Sequence, residues 1–171
     1  LRLKKDLGLP VMTTAYMFRG VTRHQLDFDS PYATMTDIHC PPMADYDPLL
    51  ADRYRAMGRE VWWYTCCDPK YPYASNASYE HALVECRLLG WLTKLVRADG
   101  YLYWHVNYWN GPGNAPLDES DVFFPHWLIR SQITSPGDGI LLYPGKDRVL
   151  PSIRLAQLRD GVQDYEWLQL A

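Results

Sequence analysis

The sequence predicts an α/β fold of about four β/α units, half of a (β/α)8 TIM-type barrel, with a short extra strand pair before the last helix. Three observations carry this. Short apolar runs alternate with helix-period stretches, the pattern of successive β/α units. Long, turn-rich loops follow the runs, and in barrels the strand ends carry the site. No glycine-rich phosphate turn follows any run, which counts against the alternative, an open doubly wound sheet. The chain has 171 residues, whereas a complete barrel needs about 250. Residues 1–171 are therefore expected to be one partial domain.

Leu1–Leu7 reads as the last turns of a helix closed by Gly8, with Pro10 beyond it. Strands are expected at Pro10–Ala15, Ala33–Ile38, Glu60–Cys67 and Tyr101–Trp109. Between the second and third lies a helix opened by Asp47, with Pro48 at its first position and Gly58 at its end. The third strand leads through Asp68–Tyr73 to a helix capped by Ser78 and stopped by Gly100. Ala82, Cys86, Leu89, Leu92 and Val96 form its buried stripe. A long excursion, Asn110–Asp138, follows the fourth strand, then a Gly137-Asp138-Gly139 turn and a small strand, Ile140–Pro144. The last helix starts near Ser152, with Leu155, Leu158, Val162, Tyr165 and Leu168 as its stripe. Gly161 interrupts it at a cost of about 1 kcal/mol against Ala, so a neighbouring backbone comes close there or the helix bends. The chain ends within this amphipathic stretch, so it is expected to be a segment of a longer protein.

Composition narrows the function. The net charge is −3 with both signs interspersed, so the basic surface that nucleic-acid binding requires is missing. No run of about 18 apolar residues is present to span a membrane. Seven Trp and thirteen Tyr stand against four Phe, so most aromatic rings carry a polar handle. Such rings suit sugar sites, where a pyranose offers C–H faces to stack on and hydroxyls to bond; an aromatic-rich core is the other reading. Cys40, Cys66, Cys67 and Cys86 form no CxxC pair, so neither a zinc ribbon nor a thioredoxin-type motif is present. Cys66 and Cys67 point opposite ways if they lie in a strand. Asn76-Ala77-Ser78 matches a glycosylation sequon, a short pattern that also arises by chance.

The predicted strand ends carry Thr36-Asp37-Ile38-His39, Trp62-Trp63-Tyr64-Thr65-Cys66-Cys67-Asp68 and Trp104-His105-Val106-Asn107-Tyr108-Trp109. Together they offer the groups needed to stack on a ring and hydrogen-bond around it. By strand parity one of Trp62 and Trp63 faces the outer helices, and His105 also reads as a hydrogen-bonded core residue. His39, Cys40, Cys66 and His105 allow a metal site, although no HxH, HExxH or CxxC spacing fixes two ligands on one element. No GxSxG elbow exists for a serine hydrolase. Asp118-Glu119, the one adjacent acidic pair of this type, lies in the polar excursion and reads as solvated loop.

Five stretches, Gly58–Pro69, Glu85–Trp91, Gly100–Trp109, Gly137–Gly145 and Pro151–Glu166, resemble in their order the C-terminal half of the catalytic domain of glycoside hydrolase family 123. The resemblance runs from about Asp37 onward. It implies the C-terminal half of a (β/α)8 barrel that removes β-linked N-acetylgalactosamine by substrate-assisted retaining hydrolysis. There the 2-acetamido oxygen is the nucleophile, an oxazolinium ring forms, and an Asp-Glu pair orients the amide and protonates the leaving oxygen. That pair is expected upstream of this chain, and Asp118-Glu119 does not match it, so the isolated segment is predicted inactive. On this reading Tyr64 orients the acetamido group, while Asp37, His39, Trp104, Asn107, Trp109 and Asp138 bind substrate. His39 departs from the family pattern, which has Trp there. Asp138 reads equally as a hydroxyl acceptor or as a cap of its turn. The expected partner is a carbohydrate with a terminal β-linked N-acetylhexosamine, without cofactor or metal. A secreted, periplasmic or cell-surface location is what the family implies, although this segment itself contains no signal peptide. The alternative is a non-catalytic carbohydrate-binding or structural barrel.

Overall fold

The computed structural model describes residues 6–14, 28, 30–109 and 136–171. The chain divides into two compact units, residues 1–64 with 96–102, and residues 65–95 with 103–171. The predicted excursion after residue 109, with Asp118-Glu119, lies outside the described residues except for its last three positions. No helix among the described residues is long and apolar enough to cross a membrane.

The first unit holds a sheet in the order β1 (Met12–Thr13), β2 (Ile38–His39), β3 (Glu60–Thr65) and β4 (Gly100–Tyr103). β1 pairs with β2 and β2 with β3 in parallel, with Thr13 opposite His39 and His39 opposite Val61. In a parallel register, paired residues share a face. Val61 packs with Ala33, Ala51 and Tyr54, all buried, so helices α1 (Pro31–Met35) and α2 (Pro48–Ala56) cover this face. Trp63 shares it and meets the Tyr46 ring edge-on at 5.7 Å. Trp62 and Tyr64 therefore belong to the opposite face, which resolves the parity question raised by the Trp62-Trp63 pair.

The predicted second strand is corrected. Ala33–Met35 are helical, because the Ser30 side chain accepts the Ala33 N–H at 3.2 Å and caps a short helix with proline at its start. The strand itself is Ile38–His39. The other predicted strands are shortened, the first to Met12–Thr13, the third to Glu60–Thr65 and the fourth to Gly100–Tyr103. The helix expected from Pro48 forms: Asp47 Oδ1 accepts the N–H of Leu49 and of Leu50, and Gly58 follows with φ 74°. Arg55 on α2 bonds Asp99, Asp52 and the Tyr46 hydroxyl at 2.9–3.0 Å. Asp99 in turn accepts the Val61 N–H at 2.7 Å, which ties α2 to the sheet.

In the second unit, helix α3 (Val84–Leu95) packs against α4 (Ile153–Leu170). The predicted start at Ser78 is corrected. Ser78 caps a turn through the Glu80 N–H, and the helix begins six residues later, where the Glu85 carboxylate reaches back to the Ala82 and Ser75 N–H groups. The predicted stop at Gly100 is also corrected, since the helix ends at Leu95 and Arg97 takes φ 56°. Gly100 is instead a strand residue whose added Cβ would lie 2.4 Å from the Trp62 ring.

The interruption at Gly161 has its cause in a close approach. A Cβ there would lie 2.5 Å from the Arg87 carbonyl oxygen, and a Cβ on Gly90 would lie 2.0 Å from that of Gly161. α3 and α4 thus touch backbone to backbone. Beside the crossing, Asp164 accepts Arg87 at 2.6 and 2.9 Å and the Trp91 indole at 2.7 Å. The Arg87 partner holds Asp164 down at about 2. Ser152 caps α4 as expected, accepting the Leu155 N–H. The strand pair expected before it is β5 (Leu142–Tyr143) antiparallel to β6 (Leu150–Pro151).

Candidate functional site

Asp37, His39 and Tyr64 lie in the first unit. Asp37 leads into β2, and its carboxylate accepts the Val11 N–H and pairs with Arg59, each at 2.9 Å. His39 is fully buried and stacks 4.1 Å from Tyr54 on the helix-covered face. Burial, reinforced by the Arg59 charge, lowers it to about 4, so its ring is neutral at physiological pH. Tyr64 is buried on the opposite face, with its N–H on the Pro41 carbonyl at 3.1 Å.

Trp104, Asn107, Trp109 and Asp138 lie in the second unit, and the chain brings them together. Segment 104–109 zips onto segment 137–142: Asn107 bridges Ile140, the Tyr108 N–H donates to Gly139 at 2.9 Å, and Leu141 and Leu142 donate to Val106. Trp109 donates its indole N–H to the Leu142 carbonyl at 2.7 Å. Trp104, His105 and Tyr108 form an edge-on triad with ring centroids 5.1–5.3 Å apart. Trp104 and Asn107 remain exposed.

Asp138 is the centre of this arrangement. It sits between Gly137 (φ 95°) and Gly139 (φ 75°), a backbone path that side-chain-bearing residues avoid. Space demands glycine as well, since a Cβ at Gly139 would lie 2.8 Å from the Trp104 ring. Asp138 is fully buried, and its Oδ1 accepts both the Tyr103 hydroxyl and the Trp104 indole N–H at 2.9 Å. Oδ2 is buried and has no hydrogen-bond partner among the described residues. Burial, with the adjacent Asp138 charge, pushes the Tyr103 phenol above its ordinary range, so it stays a neutral donor.

The turn is held from behind by Arg154, itself buried. Its guanidinium donates to the carbonyls of Asn76 and Ala77 at 2.8 Å, to that of Gly137 at 3.1 Å, and to that of Ile140. Residues on both sides of Asp138 are thereby fixed. Tyr103 adds a further restraint, its hydroxyl oxygen accepting the Gly139 N–H at 2.6 Å. The sequence places Asp138 in a turn but singles out neither Tyr103 nor Arg154. The signal was a Gly-Asp-Gly turn that follows a Tyr-Trp strand end in the chain.

Among the described residues no three His, Cys, Asp or Glu side chains cluster to hold a metal ion. An open groove of about 500 Å³ beside the first turn of α4, lined by Pro151, Ile153, Leu155 and Arg159, contains none of the candidate residues.

Residues 19–171 match the family model described as glycoside hydrolase 123, catalytic domain. A solved family 123 glycoside hydrolase from Clostridium perfringens, reported for glycolipid glycan hydrolysis, superposes with a TM-score of 0.66 at 17% identity. The match covers 95% of this chain and 26% of that one, so this chain spans about a quarter of its length. Among curated proteins none matches. The match over 19–171 shows that this chain belongs to the glycoside hydrolase family 123 catalytic-domain family.

Proposed function

We propose that this chain is the C-terminal half of a (β/α)8 catalytic barrel whose parent protein hydrolyses a terminal β-linked N-acetylhexosaminide, with N-acetylgalactosamine the expected sugar. The observation that supports the reading best is Asp138, whose free Oδ2 is an acceptor for a sugar hydroxyl beside an exposed Trp and Asn. A buried carboxylate with one oxygen anchored and the other unpaired suits hydroxyl recognition, because charge-assisted bonds are short and strong.

The chemistry follows from the substrate's own acetamido group. Its carbonyl oxygen attacks the anomeric carbon, the leaving oxygen takes a proton from a carboxylic acid supplied upstream, and the resulting oxazolinium is opened by water. Tyr64 donates its hydroxyl to the attacking carbonyl oxygen, holding it in line. The bond strengthens as charge spreads over the forming ring, so it lowers the barrier rather than merely binding. Trp104 or Trp109 supplies the stacking surface, and Asn107 and Asp138 bond hydroxyls. The side chains of Asp37 and His39 are engaged otherwise, one by Arg59 and the other by packing on Tyr54. A secreted or cell-surface location is part of the same proposal.

The test is turnover of an aryl β-N-acetylgalactosaminide by the full-length protein and its Tyr64→Phe variant. Loss of one oriented donor costs on the order of a hundredfold in kcat. A stable variant with normal kcat would remove Tyr64 from the site. The isolated chain is expected to be inactive, because binding residues cannot replace the general acid. Binding of the sugar without turnover by the full-length protein would favour the carbohydrate-binding alternative.

A further inference from the structure

The strand β3 was expected to run through Cys67, which would send the Cys66 and Cys67 side chains to opposite faces. It ends at Thr65, and both cysteines sit in a bend. There the Cys66 Sγ lies 3.3 Å from the Asp68 carbonyl oxygen and 3.4 Å from the Asp68 nitrogen. Cys67 is the next residue in the same bend. Both are half-exposed, whereas Cys40 and Cys86 are buried, and all four are thiols.

We propose that Cys66 and Cys67 form a redox-responsive vicinal dithiol that closes to a disulfide by exchange with a low-molecular-weight disulfide. One thiol, losing its proton, attacks a sulfur of the small disulfide and expels one thiolate. The second thiol then attacks the protein sulfur of the mixed disulfide, expels the other thiolate, and completes the Cys66–Cys67 bond. The two cysteines are oxidised by two electrons, and the small disulfide is reduced to two thiols.

The geometry sets the character of the switch. Adjacent Cα atoms are about 3.8 Å apart, inside the roughly 4.4 Å lower limit of ordinary disulfides. The bond is therefore strained and easily reduced, as labile rather than structural disulfides are. Burial pushes the Cys66 thiol up to about 11. Closure also has a place to act. Thr65 precedes the pair, and its hydroxyl donates to the Asn76 side chain at 2.7 Å, whose own carbonyl is gripped by Arg154. Tightening the bend pulls on the residue that connects β3 to the Arg154 anchor.

The full-length protein is incubated with excess oxidised glutathione, unreacted thiols are alkylated, and peptides are mapped. The expected result is a peptide carrying both Cys66 and Cys67 with two hydrogens lost and neither cysteine alkylated. Dithiothreitol should restore both thiols, and Cys40 and Cys86 should stay reduced. Cys67→Ser should block closure, and Cys66→Ser should accumulate glutathione on Cys67. Persistence of both thiols, separate glutathione adducts on each, or pairing with another cysteine would overturn the proposal. Phenylarsine oxide, which bridges paired thiols, supplies a second readout: binding by the reduced protein, lost in either Ser variant, is expected, and equal binding by both variants would contradict it.

Discussion

Substituting Asp138 separates what this turn does for folding from what it does for function. Asp138→Ala removes the acceptor of the Tyr103 hydroxyl and of the Trp104 indole N–H, both at 2.9 Å. Two partly buried donors are then left unpaired at about 1–3 kcal/mol each, so a loss of roughly 2–6 kcal/mol is expected. Asp138→Asn keeps an oxygen on those donors and fills the same space. It weakens two charge-assisted bonds, but it also replaces a buried, unpartnered carboxylate oxygen with an uncharged amide, which lowers the desolvation cost. The two effects offset, and stability should stay within about 1 kcal/mol of the parent. Activity should not follow stability, because the amide presents a donor where a sugar hydroxyl needs an acceptor. A fall in kcat/KM of about 10- to 100-fold, or 1.4–2.7 kcal/mol, is expected. Urea denaturation and turnover of an aryl β-N-acetylhexosaminide, measured on the same preparations, decide it. An Asn variant that unfolds as readily as the Ala variant, or one that keeps full kcat/KM, would refute the reasoning.

Two further outcomes test the units themselves. Gly161→Ala should destabilise by at least 1–3 kcal/mol despite the gain of about 1 kcal/mol in helix propensity, since its Cβ meets backbone rather than a yielding side chain; a raised urea midpoint would contradict the close crossing. His39, at about 4 in the fold against 6.5 when unfolded, disfavours the folded state as pH falls. Between these values the unfolded chain binds a proton that the folded chain does not, so stability drops from about pH 6.5 down to about 4, by roughly 3 kcal/mol in all. His39→Asn should flatten that part of the pH profile, and identical slopes for parent and variant would count against it.

Local signals were legible where they act within a few residues. Asp47 with Pro48, and Ser152, mark termini that form as expected, because a cap and the groups it satisfies are close in sequence; the helix expected at Leu1–Leu7 lies mostly outside the described residues. Ala33–Met35 misled because an apolar run of this length suits a strand or a buried helix, and the Ser30 cap decided between them. The bend at Cys66-Cys67 was hidden for a different reason, since β-branched and aromatic residues lead into it without a glycine to mark the end of β3. Trp104, Asn107, Trp109 and Asp138 could be picked as types, yet their meeting depends on pairing between segments some 30 residues apart. Arg154 was beyond reach, because its partners are backbone carbonyls and no residue type in the sequence advertises them.

Folding alone gives little reason for the turn to be built as it is. A turn of this shape needs the two glycines, and Asn or Ser could cap it without bringing a charge into the interior. Instead a carboxylate is buried with one oxygen unpaired, a state that costs more than an uncharged group would. A buried guanidinium then spends all its described bonds on carbonyls around the same turn, so the backbone cannot relax to relieve that cost. Rigid support behind an unsatisfied group is what a recognition site requires: the acceptor is held in place before the ligand arrives, and the ligand's donor completes it. If Asp138 binds a sugar hydroxyl as proposed, the stability given up there is recovered on binding, and Tyr103 and Arg154 act by holding the carboxylate and its turn in place.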